Sequence, residues 1–179
     1  MDRAEFEHTI RTAGTVLNET EVLVIGSQAI HASTLNIPEI AERSMEGDFA
    51  AFDDPLERKA DLLDGTVGEA SMFHDMFGYY IQGVTRSTAV LPQGWKDRLI
   101  RYETPNTNGV VAWCLEVHDL WISKAIAWRS KDLAFCVALV EEDLVDTVTL
   151  ARRLDKVRNL EPQQRSRVSE LISSLSGSD

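Results

Sequence analysis

A small mixed sheet flanked by helices, followed by a helical C-terminal portion, is the α/β (α+β) fold this sequence predicts. Three stretches carry that expectation. "VLVI" at 22–25 is a short apolar run halted by Gly26 and followed by "SQAI". "EGDF" at 46–49 alternates acid and non-acid residues, as one strand does with its two faces. From Asp119 to about residue 157 the chain reads as almost unbroken helix.

Taken in order, Phe6, Ile10, Ala13 and Leu17 are spaced by four, three and four residues, the stripe of an amphipathic helix packed on the sheet. Val22 to Ile25 then form a buried strand that ends at Gly26 and turns into a helix start. Pro38 punctuates a loop or short helix ahead of the strand with Glu46 and Asp48. Residues 53 to 109 are rich in turn signals, such as "DDP", "LPQGW" and "TPNTNG", between the strands "GYYIQGV" and "DRLIRYE". "GVVAWCLEV" is the last strand. The helical region breaks near Ser130 and again near 143–146, and "SRVSELISSLSGSD" reads as a polar tail.

The 179 residues suit one domain, or one domain with a small helical appendage. No apolar run approaches the roughly 20 residues of a membrane span, and "MDRAEFEHTI" lacks the basic-then-apolar order of a signal peptide, so a cytoplasmic protein is expected. A net charge of −11 repels a long polyanion over most of the surface, which argues against an extensive nucleic-acid face but leaves room for a small anionic ligand. Cys114 and Cys136 fit no paired zinc pattern with His118 and read as buried thiols.

Glu46 and Asp48 lie two residues apart on a strand, so their carboxylates share a face and can converge on one hard cation, Mg²⁺ or Mn²⁺. Half-exposed strands also carry such alternation with no ligand. Gly26 and Ser27, between strand and helix, let the backbone and a hydroxyl approach a phosphate, although glycine also serves such junctions sterically. His74, among aromatics, suits acid–base or stacking work, or a satisfied histidine within a turn. Arg129 and Lys131 suit a local basic patch or a solvated helix junction. Trp121 and Trp128 suit the core or one face offered to a partner or a second copy.

In this order, strand, Gly-Ser, helix and acid-x-acid strand resemble the nucleotidyltransferase fold of the DNA polymerase β superfamily. "CLEVHDLWISKAIAWRSKDLAF" at 114–135, with "GEASMFHDMFGYYIQGV" and "LPQGWKDRL", resembles an uncharacterised bacterial subgroup of that fold related to AbiEii-type toxins of toxin–antitoxin systems. The resemblance spans about residues 20 to 155. It implies a nucleotidyltransferase-like core at 1–118 with the helical portion, 119–179, packed on it. It implies transfer of an NMP group from Mg-NTP to a hydroxyl of an acceptor that is a protein, an RNA or a small molecule, with an antitoxin as a candidate partner. The alternative is a degenerate nucleotide-binding or interaction module. Carried over, Gly26 and Ser27 hold the triphosphate, Glu46 and Asp48 ligate the metal, and Lys124 meets a β- or γ-phosphate. Asp132 orients that lysine or a substrate hydroxyl, or else favours its own helix start. The sequence departs from the pattern in three ways: eighteen residues separate Ser27 from Glu46, the first acid is Glu rather than Asp, and the third carboxylate that the resemblance implies on a later strand is not placed by any motif. Glu116 is the first candidate for it by strand position, with Glu69 and Asp75 as further candidates.

Overall fold

The apolar stripe of the first segment is buried along its whole length, with Phe6, Ile10 and Ala13 fully inside. In the computed structural model, which describes residues 1–177, this stripe lies on helix α1, Arg3–Leu17, capped reciprocally by Asp2 and Glu5. Five strands follow in a single sheet: β1 (Glu21–Val24), β2 (Glu46–Ala50), β3 (Tyr80–Gly83), β4 (Ile100–Tyr102) and β5 (Val111–Cys114). Their order is β3-β2-β1-β5-β4. β1 runs antiparallel to β2 and parallel to β5, while β3 runs parallel to β2. The exits of β1 and β5 and the entries of β2 and β3 therefore share one end of the sheet. That end carries the predicted residues.

The expectation of a mixed sheet, with Gly26 closing one strand and Glu46 and Asp48 on its neighbour, holds. Phe49 and Gly47 are buried on the opposite side of β2 from the acids, but Met45 precedes the strand and is exposed. The segment after Gly26 is a six-residue 3₁₀ helix, Ser27–Ala32, rather than the start of an α-helix. Its short length leaves little macrodipole.

The eighteen residues between Ser27 and Glu46 are pinned by side chains at both ends. Buried Gln28 donates to the carbonyl of Ala41 at 3.0 Å, just after the short helix α2 (Glu39–Glu42) begins, and its oxygen meets His31 at 3.1 Å. Arg3 ties the far end by donating to the carbonyls of His31 and Thr34.

Two helices lie in the stretch that the turn signals had suggested was loop and strand: α3, Arg58–Val67, and α4, Met72–Phe77. The signal was present in Ala60, Leu63 and Val67, spaced three and four apart and all buried. α3 lies hard against β3: a Cβ at Gly83 would stand 2.0 Å from the Ala60 carbonyl, and the Gly83 amide donates to Asp64 at 2.7 Å.

The helical portion comprises α5 (Val117–Ala127), α6 (Ser130–Glu141), α7 (Thr147–Asp155) and α8 (Pro162–Leu175). α5 packs on the Ser27–Ala32 helix and α6 on α2, which brings both to the site end of the sheet. The polar tail expected from residue 166 is instead the body of α8, apart from the last two residues, which lie outside the described ones. Val168, Leu171, Ile172 and Leu175 form a stripe amid serines, and Val168 and Ile172 are buried against α7 and α5. Ile172→Val should therefore cost about 1 kcal/mol of unfolding free energy, while Ser173→Ala should cost next to nothing, a contrast that denaturant midpoints would measure. Trp121 is fully buried and donates its indole N–H to the Cys136 carbonyl at 2.9 Å, so it offers no face to a partner. Trp128 is half-buried beneath the Arg167 guanidinium. Both cysteines are buried, and burial pushes their thiols well above the usual range.

Candidate active site at one end of the sheet

β1 and β2 pair through Leu23–Ala50 and Val24–Phe49, and the Ile25 amide donates to the Asp48 carbonyl at 3.2 Å. One step further, Asp48 crosses directly over Gly26. A Cβ on Gly26 would stand 1.7 Å from Asp48 Oδ2, so only glycine lets the turn and the acid share this spot.

Glu46 and Asp48 face a two-lobed cleft. One lobe, about 390 Å³, is lined by Ser27, Met45, Glu69, Tyr80, Lys131 and Asp132 among others. The other, about 160 Å³, is lined by Gly26, Asp48, Gln82, Ser123 and Arg129 among others. Glu46 and Lys124 border both lobes. The structure thus gathers all six predicted residues, Gly26, Ser27, Glu46, Asp48, Lys124 and Asp132, around one cleft.

The two acids differ in their surroundings. Glu46 Oε1 accepts from Lys131 Nζ at 2.9 Å and Oε2 from the Tyr80 hydroxyl at 3.2 Å. Burial opposes its ionisation, but Lys131, Tyr80 and Lys124 outweigh it and hold the carboxyl below its usual range. Burial pushes Asp48 upward and Glu46 adds to this, while Lys124, Lys131 and Arg129 counter through space without any hydrogen bond to its carboxylate among the described residues. Desolvation and Glu46 push the Tyr80 hydroxyl up to about 12, so it remains a donor.

Lys124, about two turns into α5, is largely buried, with Nζ 3.5 Å from Asp132 Oδ1. Asp132 is buried and takes two bonds from Arg129, at 2.6 and 3.2 Å. Burial opposes its ionisation, yet Arg129 and Lys124 hold the carboxyl below its usual value. Asp132 stands in the first turn of α6 and within ion-pair distance of Lys124.

Several residues fall elsewhere. Glu116 lines neither lobe, because His118 Nδ1 at 2.6 Å and Arg153 of α7 engage it at the base of α5. Asp75 lines neither lobe, and Glu69 stands exposed in the larger one. His74 Nδ1 accepts the Ala70 amide at 3.1 Å, which fits the satisfied-turn reading, and its ring leans on Tyr80. His118 is taken up by Glu116 and Asp146, and no group of three His, Cys, Asp or Glu suited to a metal occurs among the described residues.

Tyr80 and Gln82 are the residues that sequence reasoning missed. β3 pairs in parallel with β2, Tyr80 against Glu46 and Gln82 against Asp48, so all four side chains stand on one face. The spacing Tyr80-x-Gln82 repeats that of Glu46-x-Asp48, which was visible, but the register that joins them was not.

Among the described residues no helix is long and apolar enough to cross a membrane. No curated protein and no solved structure matched the chain. A family model described as "Nucleotidyltransferase of unknown function (DUF6036)" matches residues 5–172, nearly the whole chain, and the protein belongs to that family.

Proposed function

We propose that the cleft transfers a nucleotidyl group from a Mg²⁺- or Mn²⁺-bound NTP to a hydroxyl of an acceptor. The observation that carries this reading is the crossing of Asp48 over Gly26, which puts the acid pair, the Gly-Ser turn and Lys124 within one cleft. Two carboxylates on one face, one of them taking no hydrogen bond from the described residues, are a donor set that fits a hard divalent cation. Such an ion, when bound, draws charge from the transferred phosphoryl group and the departing pyrophosphate.

The chain's own residues supply the rest. Ser27 and the Gly26 backbone take up a phosphate by local hydrogen bonds rather than through the dipole of a long helix. Lys124, held by Asp132, points a charge at the β- or γ-phosphate between the two lobes. Tyr80 and Lys131 orient Glu46. The larger lobe, with apolar Ile40, Met45 and Phe135 beside charged residues, receives the acceptor.

The acceptor is a protein, an RNA or a small molecule. The likeness of residues 114–135 to AbiEii-type relatives extends the proposal to a toxin that an antitoxin neutralises. A second reading, a nucleotide-binding module without turnover, is favoured by Gln82, a neutral side chain, standing opposite Asp48.

Incubating the protein with each α-labelled NTP, Mg²⁺ and a cell extract tests both readings. A labelled macromolecule or metabolite, lost in Asp48→Asn, is expected. Nucleotide binding without any labelled product would establish the module instead.

A further inference from the structure

The charges at the acid pair bear on how many cations it holds, a question that rests on the nucleotidyl-transfer reading above. Two divalent ions about 3.5–4 Å apart repel each other four times as strongly as two unit charges, and sites that hold such a pair surround it with anionic ligands. This cleft has two facing carboxylates and three nearby cations, Lys124, Lys131 and Arg129. Arg129 is engaged by Asp132, and Lys131 sits directly on Glu46 Oε1 at 2.9 Å.

The position that could supply a third acid is occupied by Gln82. It pairs in register with Asp48 on the neighbouring parallel strand and lines the same lobe as Gly26 and Asp48. Its amide oxygen can accept or ligate but adds no charge. Glu69 and Asp132 are the other acids that border the cleft, both in the larger lobe; Asp132 is taken up by Arg129 and Lys124, and no three-ligand group forms among the described residues.

We infer that this cleft binds a single divalent cation with its nucleotide, because Gln82 stands where a third carboxylate would be needed to hold a second ion beside Asp48. Gln82 is thereby the residue that sets metal stoichiometry. The single ion, held by Glu46 and Asp48, serves the nucleotide. The acceptor oxygen is then positioned by side chains in the larger lobe, Tyr80 and Lys131 foremost.

The full-length chain, in excess over a non-hydrolysable α,β-imido NTP, is titrated with Mn²⁺. Electron paramagnetic resonance counts bound ions, and calorimetry follows the nucleotide separately. Wild type should bind one Mn²⁺ per nucleotide complex with an uncoupled spectrum. Gln82→Glu should bind a second, with the broadened spectrum of a close pair, and should take up Mn²⁺ at least tenfold more tightly. Gln82→Asp, with its shorter reach, is the companion variant should the first fail to fold. A coupled pair in wild type would overturn the inference while leaving nucleotidyl transfer intact. So would a single ion of unchanged affinity in a folded acidic variant. No nucleotide binding under any condition would overturn the transfer reading, and this inference with it.

Discussion

Asp48→Asn should abolish metal-dependent nucleotidyl transfer, at least a hundredfold in rate, while the fold survives. The asparagine is isosteric and keeps the crossing over Gly26, where Asp48 Oδ2 lies 1.7 Å from the position of an added Cβ, so the packing has no reason to change. What goes is one of two anionic ligands. Metal stabilisation of developing phosphoryl charge amounts to several kcal/mol, and each 1.36 kcal/mol is about tenfold in rate.

Stability should move the other way. Burial and the neighbouring Glu46 hold the Asp48 carboxyl above its usual range, so the folded protein keeps that proton more tightly than the unfolded chain. Stability from this group is complete below the ordinary carboxylate value and is lost as pH rises through the elevated one. Asparagine has no such proton. The variant should therefore melt at or above the wild-type temperature at pH 7, with the gap closing in acid. A variant that melts lower at pH 7, or one that keeps its transfer rate, would remove Asp48 from the centre of the site.

Lys124→Ala should weaken NTP binding at least tenfold and leave Mn²⁺ binding unchanged or tighter. The ammonium borders both lobes and is held by Asp132 at 3.5 Å, so a phosphate meets it with little ordering cost. A charge-assisted contact of this kind contributes about 1.5–3 kcal/mol, whereas an exposed lysine would matter by less than about 0.5 kcal/mol. Lys124 also acts electrostatically on both acids, so its removal lessens repulsion of an incoming cation. Asp132 retains Arg129, which limits the structural damage. Equal loss of nucleotide and metal binding would mean misfolding. Loss of neither would leave Lys124 a partner of Asp132 alone and detach the cleft from triphosphates.

The local patterns that sequence can report were mostly sound. The apolar stop at Gly26, the same-face spacing of Glu46 and Asp48, and the helical run after Asp119 each depend on residues a few positions apart, where backbone period alone decides facing. That was enough for the mixed sheet and for six residues at one cleft. It failed where polar composition masked a stripe, as in α8 with Val168 and Ile172 among serines, and where turn residues outweighed the spacing of Ala60, Leu63 and Val67 in α3.

Tertiary structure alone decided which side chains meet. Lys131 reaches Glu46 across 85 positions and Tyr80 reaches it across 34, contacts for which no local period holds information. Gln82 faces Asp48 because β3 pairs with β2 in one register, and a slip of one residue would have turned Ile81 into that place. Glu116, the first sequence candidate for a third acid, was drawn instead to His118 and Arg153 by the packing of α7 on α5. Strand pattern determines which face a residue takes, but the partner on that face is set by register and helix docking, which depend on the whole core at once.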